Sequence, residues 1–296
     1  MKWLRASHDF LSSSPSQALT DIIYTPDNIR RQGRHVWGTI FSEFLNSREL
    51  IWRLILRDIA ARYRQSMLGY LWAVFPSIVT VIVFAVLTQS HTIHIADTPL
   101  PYVAYALWNI SVWQLFAGCL TGCTNSLASA GSLVSKANFP KEALVMAAVG
   151  HPLLDFMIRL VLVTFVFVWY GVPFKAQMSF VPLILLPAIL LAVGLSFVLS
   201  IINLLLRDIG NILGIALTFA MFLAPVFYPP PTTWPSSLIN ILNPLSPFLI
   251  ASQDMIAHGS LSQPQAFLFS GLFSVFVFLV AWRLFRLTIY RVAPYA

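Results

Sequence analysis

Few side chains in this sequence are placed to do chemistry, and the most suggestive of them lie in apolar surroundings. Asp155 and Arg159 fall at i, i+4 inside a long apolar segment, with the acid N-terminal, the favourable orientation for an ion pair on one helix face. Ionisable groups at such depth serve as a structural pair, a gate or a substrate contact; the spacing favours the structural pair, with gating or substrate contact as the sharper role. In a second apolar segment Gln114, Gly118, Thr121 and Asn125 recur at i, i+4, i+7 and i+11, a single stripe of one helix. Polar groups facing lipid cost free energy, so this stripe is expected to face protein or water. Cys119 and Cys123 share that helix at i, i+4, which excludes a disulfide framework, and two thiols alone make a poor metal site. His91 and His94 read as surface residues of a polar loop. There is no glycine-rich phosphate loop ending in Gly-Lys-Ser/Thr, no His-Glu-x-x-His helix and no zinc-spaced cysteine set. Without a convergent acid, base or nucleophile, the chain is expected to carry no catalytic residue, no metal and no cofactor of its own.

The elements that must position these groups are membrane spans. Hydrophobic residues make up 58% of the 296 and charged residues only 10%. Mean hydropathy is +0.77. A soluble domain carries about 25% charged residues. The length accommodates about six spans of roughly 20 residues each. A net charge of +7 raises the possibility of a nucleic-acid partner, but the basic residues are concentrated beside apolar segments, where anionic lipid headgroups are the fitting partner.

The pattern divides the chain into three regions. Residues 1–47 read as a cytosolic arm, polar and mixed, with no apolar core of a cleavable signal. Residues 48–67 read as an amphipathic helix lying on the bilayer surface, with Arg53, Arg57 and Arg64 on one face and Leu50, Leu54, Ile55, Ile59 and Tyr63 around the rest. Asp58 follows Arg57 on the same helix. The alternative, a soluble helix packed on a soluble core, finds little soluble core in the rest of the chain. Residues 68–296 hold spans expected at about 69–89, 102–127, 144–170, 180–206, 208–228 and 266–285. The third is interrupted early by His151-Pro152. From Pro225, near the end of the fifth, to Pro247 there are seven prolines, and two apolar pieces too short to cross, 238–242 and 248–257, precede the sixth. Two short re-entrant helices suit this stretch better than a loop free in water. With the N-terminus inside, sixteen of the eighteen basic residues fall on inner segments and Lys175 alone on an outer loop. Both termini are therefore expected to be cytosolic.

The run Arg57–Pro76, Arg-Asp-Ile-Ala-Ala-Arg-Tyr-Arg-Gln-Ser-Met-Leu-Gly-Tyr-Leu-Trp-Ala-Val-Phe-Pro, resembles the opening signature of the membrane subunits of ABC exporters for cell-surface polysaccharides, which handle O-antigen, capsule and teichoic acid. The likeness continues through 125–127, 133–142, 207–209, 225–229 and 242–245, covering nearly everything from Arg48 to the tail. The resemblance implies a permease in a bacterial cytoplasmic membrane, two copies of which form one channel for a lipid-linked polysaccharide. It implies a separate ATPase subunit that holds ATP and Mg. It also places a coupling segment at about 133–142, with Phe139 as an apolar knob and Lys136, Pro140, Lys141 and Glu142 around it. The proline-rich segment would narrow the outer exit, where Asn240, Asn243 and Gln253 offer hydrogen bonds and Tyr228 and Trp234 aromatic faces. Sugar rings lie well against aromatic faces, which makes Tyr70, Trp72, Trp108, Trp113 and Phe116 candidates for channel lining. Trp and Tyr also gather at membrane interfaces without any ligand. An ion-coupled transporter using Asp155 and Arg159 is the competing reading; such folds show inverted repeats and broken helices at mid-membrane. A membrane-embedded transferase is a third, disfavoured by the missing catalytic cluster.

Overall fold

The computed structural model describes residues 36–63, 69–89, 98–131, 139–230 and 243–292, and among them all regular structure is helical. The helices are α1 (Val36–Asn46), α2 (Arg48–Tyr63), α3 (Phe75–Gln89), α4 (Tyr102–Ala130), α5 (Glu142–Ala147), α6 (Gly150–Trp169), α7 (Val181–Leu205), α8 (Asp208–Leu223), α9 (Ser246–Ala257) and α10 (Pro264–Val292). Short 3-10 turns at Gly69–Ala73 and Ala176–Phe180 lead into α3 and α7.

Among the described residues, four helical stretches are long and apolar enough to cross a membrane: Tyr102–Ala130, Glu142–Trp169, Ala176–Leu205 and Pro264–Ile289. The other two expected spans are the shorter apolar helices Leu71–Val86 and Asp208–Leu223. At 1.5 Å per residue the 15 residues of α3 reach only about 22 Å, against a hydrocarbon core of about 30 Å. Proline sets the end of α8. Pro225 forces the preceding Ala224 into extended backbone (φ −88°, ψ 151°), so the helix stops at Leu223. The third span is interrupted where Pro152 requires it. With no N–H to offer the carbonyl of residue 148, Pro152 opens the ladder, and α5 passes into α6 through Ala148 and Val149.

The arrangement centres on α4, flanked by α6 and α7, with α10 packed along the far side of α7. Gly118 and Gly122 let α4 approach the α5–α6 joint closely: a Cβ at 118 would lie 3.1 Å from Pro152 Cβ, and one at 122 would lie 3.5 Å from the Ala148 carbonyl oxygen. The core forms two layers. The proximal layer, at the end carrying α1, α2 and α5, contains Leu54, Leu127, Val145, Phe197, Trp282 and Phe285. The distal layer contains Tyr105, Trp108, Phe156, Leu185, Val226 and Phe248. Large apolar side chains stay exposed along α6 and α10, among them Val161, Phe165, Phe269 and Phe276, as lipid-facing surfaces require. Cys119 and Cys123 are free thiols buried beneath this packing.

Residues 36–46, part of the stretch read as an arm, form a helix docked on α10 through Phe44, whose ring meets Trp282 edge-on at 5.8 Å. Of the two short apolar pieces, residues 248–257 fall within the twelve-residue α9, buried against α4, α7 and α10 at the distal end; residues 238–242 lie outside the described residues.

Candidate functional site

The polar stripe of α4 opens onto a cleft of about 450 Å³ bounded by α2, α4, α5 and α6. Gln114, Gly118 and Thr121 line it from α4, His151, Asp155 and Arg159 from α6, and Arg57 and Asp58 from α2. Asn125, the last member of the stripe, turns elsewhere. Its Oδ1 accepts from Asn203 Nδ2 at 3.0 Å, while Asn203 Oδ1 accepts from the Gly210 N–H at 2.9 Å, which fastens α4, α7 and α8 together.

Arg159 lies about 13 Å along α6 from its first residue, at the 1.5 Å rise of an α-helix. Only 5% of the residue is exposed. A guanidinium at that depth needs acceptors. Its Nη1 donates to Gln114 Oε1 at 2.6 Å and to the Ala73 carbonyl at 3.3 Å, and Ser77 Oγ donates to the same Gln114 oxygen at 3.0 Å. Asp155 meets His151 Nδ1 at 3.3 Å through Oδ2, an i, i+4 partner one turn before it. Sequence spacing pointed to Arg159; the structure adds His151 and Gln114 to the same polar group. Among the described residues, no three His, Cys, Asp or Glu gather as a metal site.

On α2, Arg53 and Arg57 are exposed and paired within the helix, with Glu49 at 2.6 Å and Asp58 at 2.8 Å. Leu54 is buried, whereas Trp52 and Leu56 on the other side are exposed, so apolar surface occurs on more than one face of the helix. Arg64 lies outside the described residues.

The aromatic candidates divide. Trp108, Trp113 and Phe116 are buried in the distal core layer. Trp108 Nε1 donates to Ser252 Oγ at 3.0 Å. Trp113 also lines a second cavity of about 320 Å³ between α4 and α8, which shares Gln114, Gly118 and Thr121 with the polar cleft. Trp72 is exposed. Tyr228 is half-buried, with its hydroxyl donating to the Phe222 carbonyl at 2.9 Å while its own carbonyl accepts from Tyr105 Oη at 2.9 Å. Gln253 donates to Asn109 Oδ1 at 2.8 Å, and Asn109 donates to the Val226 carbonyl at 3.2 Å, so these amides brace α9 and residues 224–228 against α4. Asn243 caps the approach to α9 by accepting from the Leu245 N–H at 3.0 Å. The Tyr70 side chain, Trp234 and Asn240 lie outside the described residues.

Of the segment 133–142, residues 139–142 are described, and Lys136 is not among them. Phe139 packs on the proximal core layer, and Lys141 Nζ sits 4.4 Å above its ring. Burial pushes the Lys141 ammonium below its ordinary pKa. Pro140 is buried, and Glu142 is only 2% exposed, with Oε1 3.0 Å from Arg286 Nε of α10. Arg286 also pairs with Glu43 of α1. This group is not legible along the chain because its members are 99 and 144 residues apart. Along the chain, Arg286 is one of three arginines, with Arg283 and Arg291, that close the apolar pattern of α10.

Long apolar helices packed around a polar cleft are the architecture of an integral membrane protein. The chain belongs to the ABC-2 type transporter family, whose family model matches residues 49–256. It is 25% identical over 213 residues to an O-antigen export system permease protein RfbA of Klebsiella pneumoniae, covering 70% of this chain and 79% of that protein. A permease of the same name from Myxococcus xanthus is 25% identical over 207 residues, covering 70% and 78%.

Proposed function

We propose that this chain is the permease subunit of an ATP-driven exporter that moves a lipid-linked polysaccharide, O-antigen-like or capsular, across a bacterial cytoplasmic membrane. The observation that carries the reading is family membership over residues 49–256 combined with likeness to permeases named for O-antigen export. Two copies form the channel. ATP and Mg are held by a separate ATPase subunit, also in two copies, and this chain is no enzyme. The proximal end is cytosolic, by the weight of basic residues on segments assigned to that side. The chain crosses six times, with α3 and α8 completing the set and α9 belonging to a re-entrant pair at the outer exit. The ATPase docks on the segment 133–142.

The polar cleft suits such a cargo. A lipid-linked sugar brings a polar head into a low-dielectric surrounding, and Arg57, His151 and Thr121 line the cleft with groups that can hydrogen-bond it. Trp113 beside the shared wall of the two cavities adds an aromatic face for a sugar ring.

The test is reconstitution in liposomes with the ATPase subunit and a lipid-linked polysaccharide. The complex is expected to hydrolyse ATP and move the polymer, and the isolated chain to do neither. Hydrolysis by the isolated chain would overturn the reading, as would gradient-driven transport in vesicles lacking the ATPase.

A further inference from the structure

The buried ion group at the proximal end joins three elements that the family model does not bring together. Glu142 opens α5 inside the matched stretch 49–256, but Glu43 on α1 and Arg286 on α10 both lie outside it. The Arg286 side chain is 5% exposed, that of Glu142 2% and that of Glu43 18%. The guanidinium spans the pair, with Nε 3.0 Å from Glu142 Oε1 and Nη2 on Glu43 Oε2. Apolar packing surrounds it: Phe285 and Ile289 on α10, Leu144 and Val145 on α5, and the Phe44–Trp282 edge contact between α1 and α10. Phe139, three residues before Glu142, rests on the same layer.

A buried ion pair is weak evidence for stability, since apolar residues of similar volume serve as well or better; fixing orientation is its best-attested use. The guanidinium meets the two carboxylates through two different nitrogens, Nε and Nη2, held in one rigid plane, which the single nitrogen of an ammonium does not reproduce. The group therefore sets the position of α5 relative to α1 and α10 more sharply than apolar contact alone. Residues 139–142 lead directly into α5, so the clamp at Glu142 stands at the junction between that segment and the helix.

We infer that Arg286 is a positioning residue that locks α1 and α10 onto the start of α5, so that displacement of the segment before α5 moves the three as one body. This rests on the reading of 133–142 as the ATPase-docking segment. It makes α1 a working part of the transporter, although α1 precedes the family-matched region.

Arg286→Met keeps most of the side-chain volume and removes the charge, and Arg286→Lys keeps the charge and removes the fork. In purified chain without ATPase, amide exchange across α1 and α5 is expected to rise about tenfold or more in Arg286→Met, by analogy with the cost of breaking a buried pair. In the reconstituted complex, polymer moved per ATP hydrolysed is expected to fall about fivefold or more, with the Lys variant intermediate, while the ATPase still co-purifies. A merely stabilising role would leave that ratio at the wild-type value in complexes that remain assembled. Unchanged amide exchange, or an unchanged ratio, overturns the proposal. If Arg286→Met does not assemble, Glu43→Gln carries the test, because it leaves the Arg286–Glu142 pair in place: a lowered ratio supports the clamp and an unchanged one overturns it. A wild-type complex that moves no polymer defeats the functional reading instead, and the exchange measurement still decides whether the three helices are locked.

Discussion

Gly194 of α7 lies directly against the backbone of Phe278 on α10: a Cβ at 194 would stand 2.8 Å from Phe278 Cα and 3.0 Å from its nitrogen. Backbone cannot swing aside as a side-chain end can, so this contact fixes how closely the two helices pack. In membranes, where apolar burial gives little drive between helices, small residues that admit such approach are a main source of association.

Gly194→Ala is therefore expected to destabilise the fold by about 1–3 kcal/mol, the usual range for overpacking. Gly214, where an added Cβ would meet nothing within 4 Å, is the matched control, and Gly214→Ala should unfold at the wild-type temperature or above. Thermal unfolding of the two variants in detergent checks both.

Arg159 and Gln114 should be energetically coupled, since Nη1 donates to Oε1 at 2.6 Å within a largely buried site. A double-mutant cycle with Arg159→Leu and Gln114→Leu is expected to give about 0.6 kcal/mol, the average for polar pairs between membrane helices, and at most about 1.7 kcal/mol. A coupling energy of zero would mean that the contact contributes nothing to helix association.

The Asn203–Asn125–Gly210 cluster should tolerate little change. A Cβ at 210 would fall 2.5 Å from Asn125 Oδ1, the atom that accepts from Asn203. Gly210→Ala pushes Asn125 out of that bond, and Asn203→Ala leaves the Gly210 N–H without its side-chain acceptor. Each is expected to cost about 1–3 kcal/mol, read from unfolding in detergent.

Two substitutions separate docking from folding at the coupling segment. Phe139→Ala is expected to weaken co-purification of the ATPase while leaving membrane insertion intact. Glu142→Arg sets a second cation against Arg286, where both residues are at most 5% exposed, and is expected to lower the yield of folded chain by costing about 3–5 kcal/mol. Size-exclusion profiles of the isolated chain, compared with pull-down by the ATPase, distinguish the two effects.

Much of the architecture was legible along the chain because its signals are local. Apolar run length marked four long spans, Pro152 and Pro225 marked breaks, and the stripe through Gln114 and Thr121 marked a helix face that needed polar company. The partners were not legible. Gln114, 45 residues before Arg159, accepts a hydrogen bond from its guanidinium, a contact that the spacing along α6 does not show. Gln253 reads as a polar contact at an exit, and it is buried against Asn109, 144 residues away. Phe139 reads as an apolar knob of the coupling segment, and its partial burial against the core layer that includes Leu144 and Val145 is a contact that only the folded chain shows.

By itself the sequence determined that this is an all-helical membrane protein and where its helices break, because composition and periodicity follow from local backbone and solvent physics; the family resemblance rests on its motifs alone. Only the tertiary structure decided that a polar cleft opens between α2, α4 and α6, and that Glu43, Glu142 and Arg286 meet at the proximal end. Those depend on which helices pack side by side, and helix packing joins residues whose separation along the chain carries no trace of their contact.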